Sequence, residues 1–203
     1  MVNKTDTIVC RLSNKELREC IATSTDMVGR IADRNDLHSR SYIERFINIL
    51  MGEMSEQFVI KWIQAHGKHA ESAVDKQSDK PDLGHDIWLM STDGRPIKCS
   101  VKSSLSAKIP DMDRILDTFK LASTKRELRD VNVQVYFWLE QDPKEGSARV
   151  TVPSETNAAI IGWIGKNDAE NCSEKSYSTE KRPEIQLRLR ELNRMEDLLQ
   201  YII

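Results

Sequence analysis

No stretch of this sequence is apolar and long enough to cross a membrane, and its opening residues, MVNKTDTIVCRLSNKE, lack the hydrophobic run of a signal peptide. The expectation is a soluble, cytoplasmic chain with no membrane partner. Cysteine is sparse: Cys10, Cys20, Cys99 and Cys172 form no CxxC pair and no metal-ligand spacing. Free thiols in a reducing compartment are the simplest reading. His66 and His69 stand close together, but no further histidine or cysteine at ligand spacing accompanies them, which argues against zinc. Nor is there an excess of positive charge. The 30 Lys and Arg against 32 Asp and Glu leave a formal net charge of -2, so no global basic field advertises nucleic acid. A local cationic cleft can still sit inside a neutral total. There is no internal repeat and no low-complexity segment.

What is present is enough for one domain with a real core: 203 residues, 39% of them hydrophobic. Helical signals come first. Ser13 and Glu16 fit a capping box and predict a short helix to about Ala22, with a second from Asp26 through Ala32. Arg30, Arg34, Arg40 and Arg45 alternate with acids there and read as a solvated face. From Tyr42 to about Ala65, Ile43, Phe46, Ile47, Leu50, Met54, Phe58, Val59 and Trp62 keep helical spacing. Glu53 and Glu56 lie on one side of that helix, a pair that is ordinarily solubilising. Glu56 carries more weight because it borders the apolar face. A short strand is expected over Ala70–Val74, a helix from Asp111 to Ala122, and strands over Val131–Leu139 and Ala148–Val152. Asn157–Gly165 fits strand or helix. Lys166–Arg182 reads as loop, Ile185–Leu189 as a strand with one basic face, and Asn193–Ile203 as a closing helix. The order predicts an α/β fold with a mixed central sheet. The parts are an N-terminal helical portion (1–41), an α/β core (42–165) and a C-terminal strand and helix (166–203).

The central stretch is PDLGHDIWLMSTDGRPIKCSVKSS. Asp86 precedes the apolar run Ile87–Met90, Asp93-Gly94 is a hairpin signal, and the return strand runs from Ile97 to Ser103. With a period of two, Lys98, Ser100 and Lys102 share one face, and Ile97, Cys99 and Val101 the other. Asp86 and Lys102 are then expected to meet at one end of a twisted hairpin.

The sequence GEMSE on a helix, followed by GHDIWL and IKCSVKSS, resembles the PD-(D/E)XK nuclease superfamily, which includes type II restriction endonucleases and archaeal Holliday-junction resolvases. The similarity covers Leu50 to Ser104, and most resembles a type II restriction enzyme. It implies a restriction-endonuclease-like mixed sheet flanked by helices. It also implies Mg²⁺ held by Asp86, Glu56 and the carbonyl of Val101, with Lys102 beside the attacking water. Asp82 of the literal Pro81-Asp82 is the less suitable aspartate, because it stands apart from the apolar strand. One position departs: the acid expected two residues before the lysine is Ser100. Glu56, Asp113 or Asp117 are the candidates to replace it. Ser103, Ser104, Ser106 and Lys108 follow the catalytic strand and are candidate DNA contacts. The implied function is Mg²⁺-dependent, site-specific cleavage of double-stranded DNA by a homodimer. The alternatives are a non-catalytic DNA-binding protein with a degenerate site, or a structure-selective repair or recombination nuclease.

Overall fold

The computed structural model describes residues 1–30, 41–76, 84–106, 111–138, 158–172, 174–176 and 183–203. Strand β1 (Ile8–Cys10) leads into α1 (Asn14–Arg30) and α2 (Tyr42–Ala65). Then come β2 (Ala70–Ser72), β3 (Ile87–Met90), β4 (Pro96–Ser106), α3 (Met112–Thr118) and β5 (Lys120–Ser123). Strands β6 (Val131–Trp138) and β7 (Ala158–Gly165) follow, with α4 (Lys166–Glu170), β8 (Glu174–Ser176), β9 (Pro183–Arg188) and α5 (Met195–Leu198) closing the chain.

The architecture is the expected α/β one. Six strands form a mixed sheet in the order β1-β7-β6-β4-β3-β2, and β5-β9-β8 form a small second sheet. Only β4 and β6 run parallel; β2, β3 and β4 form an antiparallel meander. Helices α1 and α2 cover one face of the large sheet, and α3, α4 and the small sheet cover the other. This is why β6 is buried along nearly its whole length: Val131, Val133, Val135 and Phe137 enter one core while Tyr136 enters the opposite one. Ala158 and Ile160 on β7 likewise face α2, and Ala159 and Ile161 the other side. The segment left open between strand and helix is therefore a strand.

Several expectations are corrected. The two short N-terminal helices are one, α1, because Ser24 and Thr25 donate their hydroxyls to the carbonyls of Cys20 and Ile21 at 2.7 Å and fit within it. Ser13 does cap it, accepting from the Glu16 N–H at 3.3 Å while its own N–H reaches the Glu16 carboxylate at 2.7 Å. On α2 the apolar stripe holds from Phe46 onward, but Ile43 is 58% exposed. The α3 helix stops at Thr118, and Lys120–Ser123 pair with β9 instead, register outweighing helix propensity. Lys166–Arg182 contains α4 and β8. The closing helix is only Met195–Leu198, because the end of the chain joins the sheet: Ile203 N–H donates to Met90 and its carbonyl accepts from His69. Ala148–Val152 lies outside the described residues.

The C-terminal segment is fastened to β7 where Trp163 and Asn193 exchange backbone hydrogen bonds of 3.0 and 2.8 Å. Gly162 permits this approach, since a Cβ there would stand 2.4 Å from the Asn193 carbonyl oxygen. Gly162→Ala is expected to destabilise the protein by about 2 kcal/mol through that overlap. A urea titration should show a lower midpoint at unchanged slope; an unchanged midpoint would refute the contact.

Candidate active site

The β3–β4 hairpin turns at Ser91–Arg95, where the Ser91 N–H donates to the Arg95 carbonyl at 2.9 Å. Its strands are in register as Ile87↔Cys99 through Met90↔Pro96. Beyond Ile87 they part, and Asp86 sits at the fork. Its N–H donates to the Cys99 carbonyl and its carbonyl accepts from the Ala73 N–H, each at 2.9 Å. Its side chain bridges the opening: Oδ2 accepts the Val101 N–H at 2.6 Å. A ladder that opens leaves a backbone donor to satisfy, and a carboxylate is a strong acceptor for it. Beneath it, burial first and the Asp86 charge second push the Cys99 thiol well above its ordinary value.

Ser100 and Lys102 follow Cys99, where the β3–β4 register ends, and alternation along β4 sets both on one strand face. Ser100, 3% exposed, neighbours Asn132 on β6, and Lys102 neighbours Gln134. Lys98, on the same face, holds its ammonium 5.9 Å from the Trp88 ring centre. Lys102 is half-buried and makes no hydrogen bond or ion pair among the described residues. Asp86 and Lys102 thus belong to one end of the hairpin, as expected, without forming an ion pair.

The helix glutamate is engaged differently from the expectation. Glu53 and Glu56 are both buried, at 6% and 3% exposure, rather than a solubilising pair. Lys76 lies between them, 2.6 Å from Glu53 Oε2 and 3.4 Å from Glu56 Oε1. Arg30 Nη2 donates to the Lys76 carbonyl at 2.6 Å, holding that backbone in place. Burial, the largest influence, raises the Glu56 pKa above the ordinary carboxylate value. The α3 acids are also taken up. Arg190 binds Asp117 and stands 3.6 Å from Asp113, and that hydrogen bond holds the Asp117 pKa down. Neither is directed at Ser100. Ser104 accepts from Gln134 Nε2 at 3.2 Å, which pins it to the sheet, and Ser103 is half-buried. Lys108 and Asp82 lie outside the described residues, and Ser106 is described only as the last residue of β4.

No group of three or more His, Cys, Asp or Glu able to hold a metal occurs among the described residues. The donor chemistry therefore fits a hard ion only through Asp86, with the Ser100 hydroxyl and the Val101 carbonyl as neutral oxygens nearby. Mg²⁺ accepts such a site when the phosphate and several waters supply the remaining oxygens. Glu56 does not fit as a ligand while Lys76 supplies its countercharge. Sequence reasoning missed Lys76, His85 and Arg129; the Gly-His-Asp tripeptide was the signal available for one of them. No protein-family model, no curated protein and no solved structure matches the chain.

Lys76→Met should cost about 3–5 kcal/mol near neutral pH, because it strands two buried carboxylates. The folded state holds the Glu56 proton more tightly than the unfolded chain does. Stability from this group is therefore present at acidic pH and lost as pH rises above the ordinary carboxylate range through the raised value. Removing Lys76 moves that window upward, so denaturant titrations should show a far smaller deficit at pH 5 than at pH 8. Equal deficits at both would break the link.

Proposed function

We propose that the chain is a DNA endonuclease of the PD-(D/E)XK kind, acting as a homodimer on double-stranded DNA in the cytoplasm. The observation that carries this reading is the fork itself. A carboxylate is fastened across β3 and β4 at Val101, and on one face of β4 beside it stand Ser100 and a lysine, Lys102, with no carboxylate partner among the described residues. The order α2, β2–β4, α3, β6, with β6 parallel to β4, agrees with the resemblance in IKCSVKSS and GHDIWL. No described helix is long and apolar enough to cross a membrane.

Asp86 would hold Mg²⁺ there, with Ser100 and the Val101 carbonyl beside it. The ion supplies charge to the phosphate oxygens and acidifies a bound water. The protein's own groups do the rest. The Val101 N–H fixes the Asp86 carboxylate in one orientation, so no reorganisation is needed when substrate arrives. The Lys102 ammonium, with no counterion among the described residues, stabilises negative charge building on the phosphate and orients the water. Buried Ser100 keeps bulk solvent from the space between them. Two such sites related by a twofold axis would cut both strands of a symmetric sequence.

A second reading, a DNA-binding protein that has lost cleavage, is favoured by one observation: Ser100 replaces the acid, and Asp113 and Asp117 are committed to Arg190. Plasmid incubated with protein and Mg²⁺ separates the readings. Discrete bands support a restriction enzyme, branched-DNA cutting a repair nuclease, and binding without cutting the second reading.

For the endonuclease, Asp86→Asn is expected to slow single-turnover cleavage by roughly 10³-fold, about 4 kcal/mol of transition-state stabilisation. DNA binding in metal-free buffer should hold or tighten, since a negative charge has gone. Ser100→Ala should stay within about tenfold, because water replaces a hydroxyl on Mg²⁺. Glu56→Gln should cost less than Asp86→Asn. Wild-type rates in Asp86→Asn would refute the assignment. Sedimentation should show a dimer; a monomer with and without cleavable DNA argues for nicking or repair.

A further inference from the structure

The Arg129 guanidinium and the His85 ring gather at Gly84, and neither is paired with a carboxylate among the described residues. Arg129, immediately before β6, is held rigidly. Its N–H donates to Asn132 Oδ1 at 2.9 Å, and Asn132 Nδ2 returns a 2.8 Å bond to the Arg129 carbonyl. Guanidinium Nη1 donates to the carbonyls of Arg126 and Leu128 at 2.9 and 2.8 Å. Nη2 lies against Gly84, where a Cβ would stand only 2.3 Å away. Gly84 has a φ of +76°, so both its backbone and the space beside it require glycine.

The course of this side chain follows from the strand order. Asn132, which clamps the Arg129 backbone, neighbours Ser100 in the β4–β6 register. Gly84 leads into β3, on the other side of β4. The Arg129 side chain therefore reaches across β4 toward the residues that lead into β3. No carboxylate pairs with it among the described residues, nor with Lys102 on the same strand face. His85, next to Gly84, is 2% exposed, stacks edge-on to Trp88, and has no hydrogen-bond partner for either ring nitrogen.

A half-buried guanidinium without a counterion is unfavourable unless something anionic completes it. Arginine's planar fork matches phosphate oxygens, and this one is already oriented by four protein hydrogen bonds to its backbone and Nη1. Position 100, on the strand that Arg129 crosses, carries no negative charge, because it is Ser100. Serine there leaves the charge for an incoming ligand.

We propose that Arg129 binds a non-bridging oxygen of a DNA backbone phosphate, seating the strand across β4 above Ser100, with Lys102 on the same anionic surface. The identity of this ligand rests on the nuclease reading, and Arg129 is a binding residue outside the motif that suggested it. Its test is the affinity of the full chain for a duplex oligonucleotide, read by fluorescence anisotropy in EDTA over a salt series. Arg129→Gln is expected to weaken binding about tenfold and to reduce the slope of log affinity against log salt by about 0.9. Arg129→Lys should keep the slope and lose affinity several-fold, because the charge remains and the fork does not. Unaltered affinity and slope in Arg129→Gln, with wild-type thermal unfolding, overturns the proposal. Should that variant not fold, Arg129→Lys decides, and wild-type affinity there overturns it. Wild type that binds but never cuts with Mg²⁺ defeats the nuclease reading alone, and the Arg129 result still stands. Wild type that does not bind DNA defeats both.

Discussion

The hydrogen bond from the Val101 N–H to Asp86 Oδ2 joins the two strands at the point where their backbone ladder has ended. Everything near the candidate site depends on that substitution of side chain for backbone. Asp86 is also tied through its main chain to Cys99 on one side and Ala73 on the other, so β2, β3 and β4 converge on one residue. A charge that also serves as a structural acceptor cannot swing away, and this gives the fork a fixed electrostatic orientation without a metal to impose it. The buried Cys99 thiol stays neutral beneath it, adding no competing anion.

Charge is sorted by side. On the helix side, Lys76 hydrogen-bonds Glu53 and supplies a countercharge to Glu56 at 3.4 Å, and Arg30 bonds the lysine's own carbonyl. On the other side, Lys102 and Arg129 have no carboxylate partners among the described residues. The formal net charge of -2 conceals this division, since the acids that balance it are spent locally. Arg190 with Asp113 and Asp117 is a third such pairing at the surface, and in high dielectric it contributes little to stability. A buried pair such as Lys76 with Glu53 differs, because removing one member leaves the other charged in a poor solvent.

Where the chain's local signals and its tertiary needs agree, the sequence was legible. Helix α2 runs from Tyr42 to Ala65, as its long apolar spacing indicates, and Ser41 caps it. The β3–β4 hairpin follows from Asp93-Gly94 between two alternating runs, and β6 from a β-rich run. Local signals misled where distant contacts won. Lys120–Ser123 continues a helical pattern yet pairs with β9, and the last residues leave a helical pattern to bond Met90 and His69. Glu53 and Glu56 looked like a wet face because Lys76, their partner, is supplied by a loop beyond the helix.

The sequence alone determined the α/β class, the principal strands, the position of Asp86 at the mouth of β3, and the alternation that sets Ser100 and Lys102 on one face. Periodicity and turn chemistry act over a few residues, and these features need nothing more. The tertiary structure decided which charges meet. It assigned Glu56 to Lys76, Asp113 and Asp117 to Arg190, and brought Arg129 across β4 to Gly84. Those pairings join residues far apart in the chain, and electrostatic partners are chosen by distance in space and by the dielectric around them, neither of which is written in spacing along a sequence.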